Sequence, residues 1–475
     1  MLSKIKDSPN YRWYVMSTIL IGVFMSTLDS SIVNVALPTI AIDFHFELSV
    51  LQWVVTAYLL TICSVLPVFG RLSDMLGCKR VFVMGFLLFS IGSALCGLSP
   101  NLPFLIFARV VQAIGSAMLM SNNFAIITAT FPPGERGKAL GLIGTFVALG
   151  GLAGPALGGL LIGLAGWRSI FYINLPIGIL ATIATWMILE NDVPKKGQGR
   201  FDFLGAVFFA TGIISLLYAI NNGADWGWKS PLILGGIILG IILLAVFVII
   251  EKRVRYPMVN LALFRIRPFL IGNVAGWLSF VAMFANNMIM PFYLQQVLLY
   301  RPSQVGLMMM AFPVALAIVA PLSGRASDRI GPMILTTSGL ALTALGLFYF
   351  STLTATAHFY RVIPGSLLMG VGCGLFQSPN NNSVMSSVPI HELGIAGAIS
   401  SLVRNIGMIT GIAFSVTLFE ALGGVSEPTS AQIGVFMSAY HVVMLAAMGV
   451  ALLAMIISLG RKNYVNTRAT LERGK

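Results

Sequence analysis

A chain of 475 residues that is 57% hydrophobic and only 9% charged cannot be an ordinary soluble protein, because soluble domains carry about 25% charged residues. The net charge of +13 needs no nucleic-acid partner, since the basic residues fall in short loops between apolar runs, where anionic lipid attracts them. The four cysteines, Cys63, Cys78, Cys96 and Cys373, lack C-x-x-C spacing and read as small apolar fillers, not as disulfides or metal ligands.

Fourteen apolar runs are expected to cross a bilayer, near residues 13–36, 50–69, 81–99, 103–125, 138–163, 168–189, 203–221, 231–250, 269–293, 304–323, 333–354, 359–380, 393–420 and 434–460, each close to the roughly 20 residues a membrane helix needs. The first run follows basic residues as a signal peptide would, but it is too long and leads into Asp29; it is expected to be retained. With the N-terminus in the cytosol and sides alternating, 23 of the 29 basic residues fall on the cytosolic side, as the positive-inside rule requires. Both termini are therefore expected in the cytosol of a bacterial-type plasma membrane.

The first span holds Leu28-Asp29-Ser-Ser-Ile-Val-Asn34. An Asp at mid-helix costs roughly 2.5–3.5 kcal/mol to insert and marks a pathway by default. The carboxyl reads as a proton carrier or, alternatively, as a structural acid bonded by Ser30, Ser31 or a neighbour. After the second span comes Gly70-Arg71-Leu-Ser-Asp74-Met-Leu-Gly77-Cys-Lys79-Arg80. Its glycines allow a tight turn, Asp74 can accept from a helix N-terminus, and Arg71 and Arg80 can bridge to acids, so that a conformational latch is expected beside the plain turn.

In the fourth span Arg109, Gln112 and Gly115 recur every three residues and share a face. A buried guanidinium keeps its charge and must find an acceptor or water; Asp29 is the expected partner, either in proton coupling or as a static brace. The fifth span crowds Gly150, Gly154, Pro155 and Gly158 among other glycines, which lets helices approach closely and favours a bend at Pro155, suiting a helix at a moving seam.

A polar stretch, two charge-free spans and a basic loop occupy 191–267; the two spans are expected against the outside of the bundle. Then Gly324-Arg-Ala-Ser-Asp328-Arg-Ile-Gly331 repeats Gly70–Gly77 about 254 residues on. The chain is thus read as a six-helix bundle (1–190), a two-helix insert with linkers (191–267) and a second six-helix bundle with a tail (268–475), the internal repeat of a secondary transporter. Arg404 in the thirteenth span is expected either to snorkel near the cytosolic third or to face a cavity. Amide and phenol groups in or beside spans, namely Asn34, Gln52, Tyr58, Gln112, Asn122, Asn286, Asn287, Tyr293, Gln377 and Asn381, are the candidate substrate-binding set, since amides are costly in lipid.

These motifs resemble the major facilitator superfamily and, within it, the fourteen-helix drug:proton antiporters. Gly70–Arg80 is similar to the loop signature after helix two, Arg109-x-x-Gln112-x-x-Gly115 to the helix-four signature, Gly150–Gly159 to the helix-five antiporter signature, and Leu28–Pro38 to the helix-one signature; Trp167–Pro176 is also family-like. The resemblance implies an all-α fold and proton-driven export of amphipathic small molecules by rocker-switch alternating access. It implies no cofactor, a monomer, and a role for the helix-four arginine in proton transfer. Exporters of dicationic dyes in this family tend to carry a further acid in the second half; none is centred in a span here, which counts against such substrates. A dedicated exporter or importer of one metabolite, and a non-transporting membrane sensor, are the other readings. An enzyme is not expected: no nucleophile–base pair, metal cluster or phosphate loop emerges.

Overall fold

The computed structural model describes residues 8, 10–44, 53–132, 135–190, 201–254, 257–300, 302–389, 392–424 and 431–461. The first half contains α1 (Tyr11–Phe44), α2 (Trp53–Leu76), α3 (Cys78–Gly97), α4 (Leu102–Thr130), α5 (Arg136–Ala165) and α6 (Ser169–Ile188). The insert is α7 (Phe203–Trp226) and α8 (Pro231–Arg253). The second half contains α9 (Arg267–Phe292), α10 (Ala311–Ile330), α11 (Pro332–Ser351), α12 (Val362–Ser386), α13 (Leu393–Ala421) and α14 (Ile433–Leu459).

Long apolar segments become helices because a helix satisfies every backbone polar group within the segment. Twelve helices among the described residues are long and apolar enough to cross a membrane. The remaining two of the fourteen expected spans correspond to α5 and α10 and fall outside that twelve; α10 carries Arg325, Asp328 and Arg329 in its last two turns. Local chemistry sets several ends. Asn101 caps α4 by accepting from the Phe104 N–H at 2.9 Å, and Asp202 caps α7 by accepting from Gly205 at 2.9 Å, each satisfying an otherwise orphaned donor.

The packing repeats with the sequence. In the first half α1 lies against α5, α3 against α4, α2 against α4, and α6 against α3 and α1; the second half pairs α9 with α13, α11 with α12, α10 with α12, and α14 with α11 and α9 in the same scheme. The halves also meet symmetrically: α5 packs on α10, and the equivalent pair, α13 and α2, packs at the other seam. Both copies of the octapeptide end on a glycine in the left-handed region, Gly77 (φ 94°) and Gly331 (φ 86°), at the single-residue break between α2 and α3 and between α10 and α11. Residues 70–76 and 324–330 are themselves helical, so the expected tight turn shrinks to one glycine in each half.

The insert is placed unequally. α7 covers the seam between α2 and α13, while α8 packs on α7 and otherwise exposes Leu232, Leu234, Ile238, Leu239, Ile241, Ile242 and Ile249. Trp53 of α2 packs against Tyr218 of α7 with centroids 5.3 Å apart, and the Trp228 indole donates to Thr417 of α13 at 3.0 Å. Trp228 therefore ties the insert to the second half.

Candidate functional site

α1 reaches the middle of the first half because α5 presents glycine to it. A Cβ on Gly150 would meet Leu28 N at 3.0 Å, and one on Gly154 would lie 2.9 Å from Ile32 N and collide with the Ser31 side chain. Ser31 Oγ donates to the Gly150 carbonyl at 3.0 Å. This close approach carries Asp29, on the neighbouring face, into the interior with 0% exposure. The seam contact of α5 lies elsewhere along the helix: a Cβ on Gly141 would sit 2.6 Å from the Ala320 carbonyl oxygen, and Thr145 Oγ1 donates to Ala317 O at 2.8 Å. Gly150 and Gly154 thus face α1, not the moving seam expected from their sequence.

Arg109 Nη1 donates to Asp29 Oδ2 at 2.6 Å, and the guanidinium is 1% exposed. Nη1 also donates to Gln112 Oε1 at 2.8 Å, and Nε donates to the Val54 carbonyl of α2 at 3.1 Å. The other carboxylate oxygen, Oδ1, accepts from Gln112 Nε2 at 2.7 Å and from Asn174 Nδ2 of α6 at 3.2 Å. Asn174 donates in addition to Ser93 Oγ of α3 at 3.1 Å. Five helices therefore meet in one network around the carboxylate. Glycine again permits the approach: a Cβ on Gly92 would stand 2.5 Å from the Gln112 backbone, and one on Gly115 would strike the backbone of Phe89.

The guanidinium lies 4.0 Å from the centroid of the Tyr58 ring, a cation–π contact. The buried Tyr58 hydroxyl lies near Ser30 and Ser116 but hydrogen-bonds to neither. Ser30 is partly exposed, so hydroxyls lead from the enclosed pair towards the surface of the half. Charges this deep are tolerated because each is matched: the carboxylate accepts from three donors and the guanidinium meets a countercharge, two further oxygens and an aromatic face. Protonating Asp29 would leave Arg109 without a countercharge. Asn174 and Ser93 are site residues that the sequence did not single out; an amide inside the sixth span was the available signal for Asn174.

The remaining candidates scatter. Tyr58 and Gln112 belong to the ion-pair network. Asn122 is enclosed and donates to Met118 O of its own helix at 2.7 Å. Tyr293 donates to Thr354 O at 2.7 Å and stacks on Tyr440 with centroids 4.7 Å apart, so it packs the second half. Asn286 is buried, while Asn287, Gln377 and Asn381 stay partly exposed. Gln52 and the side chains of Asn34 and Pro155 lie outside the described residues. In the hinge segments Gly70 and Gly77 are buried, Arg71 and Asp74 partly so, and Arg80 is exposed. Asp328 accepts from Asn382 Nδ2 of α12 at 3.0 Å, a contact within the second half. Gly158 is buried on α5.

Arg404 falls within the apolar span Ile395–Ala421. It lies eleven residues into α13, about 16 Å along the helix, and its Nη2 points at Met120 Sδ of α4, 3.8 Å away. Among the described residues no three His, Cys, Asp or Glu side chains could hold a metal ion.

The chain as a whole is similar to known proteins. The family model described as Major Facilitator Superfamily matches residues 19–411 and 272–474. The chain is 36% identical over 408 residues to the riboflavin transporter RibZ of Clostridioides difficile, covering 86% of this chain and 88% of that protein. It is 35% identical to the multidrug resistance protein Stp of Mycobacterium tuberculosis, covering 86% and 76% of the two chains. It is 32% identical to the multidrug transporter protein MdtP of Bacillus subtilis, covering 87% and 76%. In fold it is similar to the human organic anion transporter MFSD10, with a TM-score of 0.70 over 95% of this chain and all of the other at 15% identity.

Proposed function

The chain belongs to the Major Facilitator Superfamily, and from that premise we propose that it is a fourteen-span, proton-coupled exporter of amphipathic small molecules. In this reading α5 and α10 complete the set of spans, both termini face the cytosol, and the halves rock about the α5–α10 and α2–α13 seams. The observation that carries it is the enclosed Asp29–Arg109 pair inside one half, held in a network of five helices. Ionisable groups placed so deep in a span mark functional pathways by default.

The cycle follows from the bonding. A proton arriving from outside by way of Ser30 and Tyr58 neutralises Asp29, and Arg109 shifts to another acceptor or to water. The loosened contact between α1 and α4 favours the inward-open arrangement. Release of the proton to the cytosol restores the pair and the outward-open arrangement, while substrate travels the other way. Each elementary charge crossing 100 mV contributes about 2.3 kcal/mol, enough for roughly a 50-fold substrate gradient per net charge. Gly77 and Gly331 keep α2–α3 and α10–α11 as rigid levers.

The test is substrate-driven proton movement. Proteoliposomes loaded with a pH-sensitive dye are expected to change lumenal pH when a transported compound from a broad amphipathic panel is added. Substrate flux with no accompanying pH change, at clamped membrane potential, removes proton coupling. A second reading, transport of one dedicated metabolite, is supported by the 36% identity to a riboflavin transporter; it predicts that one compound in the panel, riboflavin included, moves and that the drugs do not.

A further inference from the structure

Arg404 is an intramembrane cation without a carboxylate partner among the described residues. It projects from α13 towards α4 of the other half, where its Nη2 contacts the Met120 thioether at 3.8 Å, a weak acceptor for a group with five donors. The side chain is partly exposed. Acids of the second half are elsewhere: Asp328 is engaged by Asn382, Glu392 accepts from Asn260 at 2.7 Å, and Glu420 is exposed at the far end of α13. Asp29 is held by Arg109, which precedes Met120 on α4 by eleven residues, about 16 Å.

A second donor stands beside it. Ser400 lies one turn before Arg404 on the same face of α13, and its buried Oγ has no hydrogen-bond partner among the described residues. The neighbouring contacts with α4 are tight: Ser401 Oγ reaches Met120 O at 3.5 Å, and a Cβ on Gly397 would lie 3.2 Å from Phe124 Cβ. A fork of guanidinium donors, an unused hydroxyl and a soft sulfur therefore lie along the α13–α4 contact, with Phe124 packed on Gly397 two turns away. That combination lacks an acceptor with a negative charge and offers apolar surface for the remainder of a molecule.

We propose that Arg404 and Ser400 bind the acidic group of an amphipathic organic anion, a carboxylate or sulfonate on an aromatic body. The assignment rests on the transport reading and names its substrate class. The guanidinium takes both oxygens of the acid in a bidentate contact, and Ser400 donates to one of them. Because the site is assembled from α13 and faces α4, rocking of the halves changes its surroundings. Cations are repelled from it by the same charge that retains anions.

The test uses two dyes on one xanthene scaffold, anionic fluorescein and cationic rhodamine 6G, with binding read by fluorescence anisotropy on purified protein without any pH gradient. Wild type is expected to bind fluorescein about ten-fold or more tighter than rhodamine 6G. Arg404→Gln is expected to weaken fluorescein about ten-fold or more and to leave rhodamine 6G equal or tighter. Arg404→Lys should fall between, since it keeps the charge and loses the fork, and Ser400→Ala should cost about three-fold. Equal binding of the two dyes, no binding of either, or fluorescein affinity unchanged in Arg404→Gln overturns the proposal. If Arg404→Gln does not fold, wild-type discrimination together with Arg404→Lys and Ser400→Ala decides it. Fluorescein that binds through Arg404 but is not moved by a pH gradient contradicts the proton-coupled reading and leaves this one standing.

Discussion

Asp29 Oδ2 and Arg109 Nη1 meet at 2.6 Å with both side chains sealed from solvent, at 0% and 1% exposure. Removing one member of such a pair leaves an uncompensated charge and costs about 3–5 kcal/mol. Asp29→Asn and Arg109→Gln are each expected to lower the thermal midpoint of the purified protein, while the double variant recovers most of the loss. Transport under a pH gradient is not expected to recover with it. Stability and transport restored together would reduce the pair to a brace.

Glycines on α5 give a matched contrast. A Cβ on Gly154 would press on Ser31 and on the backbone of Ile32, whereas one on Gly151 meets nothing within 4 Å. Gly154→Ala is expected to destabilise by about 1–3 kcal/mol through overpacking and to reduce transport by displacing α1 and with it Asp29. Gly151→Ala should be close to neutral in the same melting and uptake measurements.

The two turn glycines should behave alike, because they hold equivalent positions with φ of 94° and 86°. Side chains are strained there by about 1–3 kcal/mol. Gly77→Ala and Gly331→Ala are each expected to lower the melting temperature by similar amounts. A loss confined to one of them would argue against structural equivalence of the two octapeptides.

Tyr58 offers a cleaner probe of the proton route than of stability. Tyr58→Phe keeps the ring beside Arg109 and removes the hydroxyl that neighbours Ser30 and Ser116. The melting temperature is expected to change little, while the rate of pH-driven transport falls by about 100-fold at saturating substrate, the lower end of what losing one positioned proton-transfer group costs.

Features visible in the sequence are those with a large one-residue signature. Asp29 and Arg109 stand out because ionised groups are rare in apolar spans, and three-residue spacing alone puts Gln112 on the Arg109 face. The octapeptide repeat announces equivalent halves, and the packing scheme follows that equivalence helix by helix. What stays hidden depends on contacts between segments distant in the chain. Asn174 reaches Asp29 across 145 positions, and nothing in its local sequence says which face of α6 turns inward. Amide composition alone cannot separate Asn122, bonded to its own helix, from Gln377, which is partly exposed. Gly150 and Gly154 are legible as a close-packing signal, but their partner, α1 instead of the seam, is not. The depth of Arg404 is equally hard to read, because span ends are blurred in sequence and a shift of one turn moves a guanidinium about 5 Å.

Proton coupling through one carboxyl is the central claim, and it is most directly tested by pH-gradient-driven substrate uptake into proteoliposomes reconstituted with Asp29→Asn. The account predicts that the variant still binds substrate but accumulates none above the level of protein-free vesicles when the gradient is imposed. Accumulation by Asp29→Asn at the wild-type rate and to the wild-type extent would contradict it.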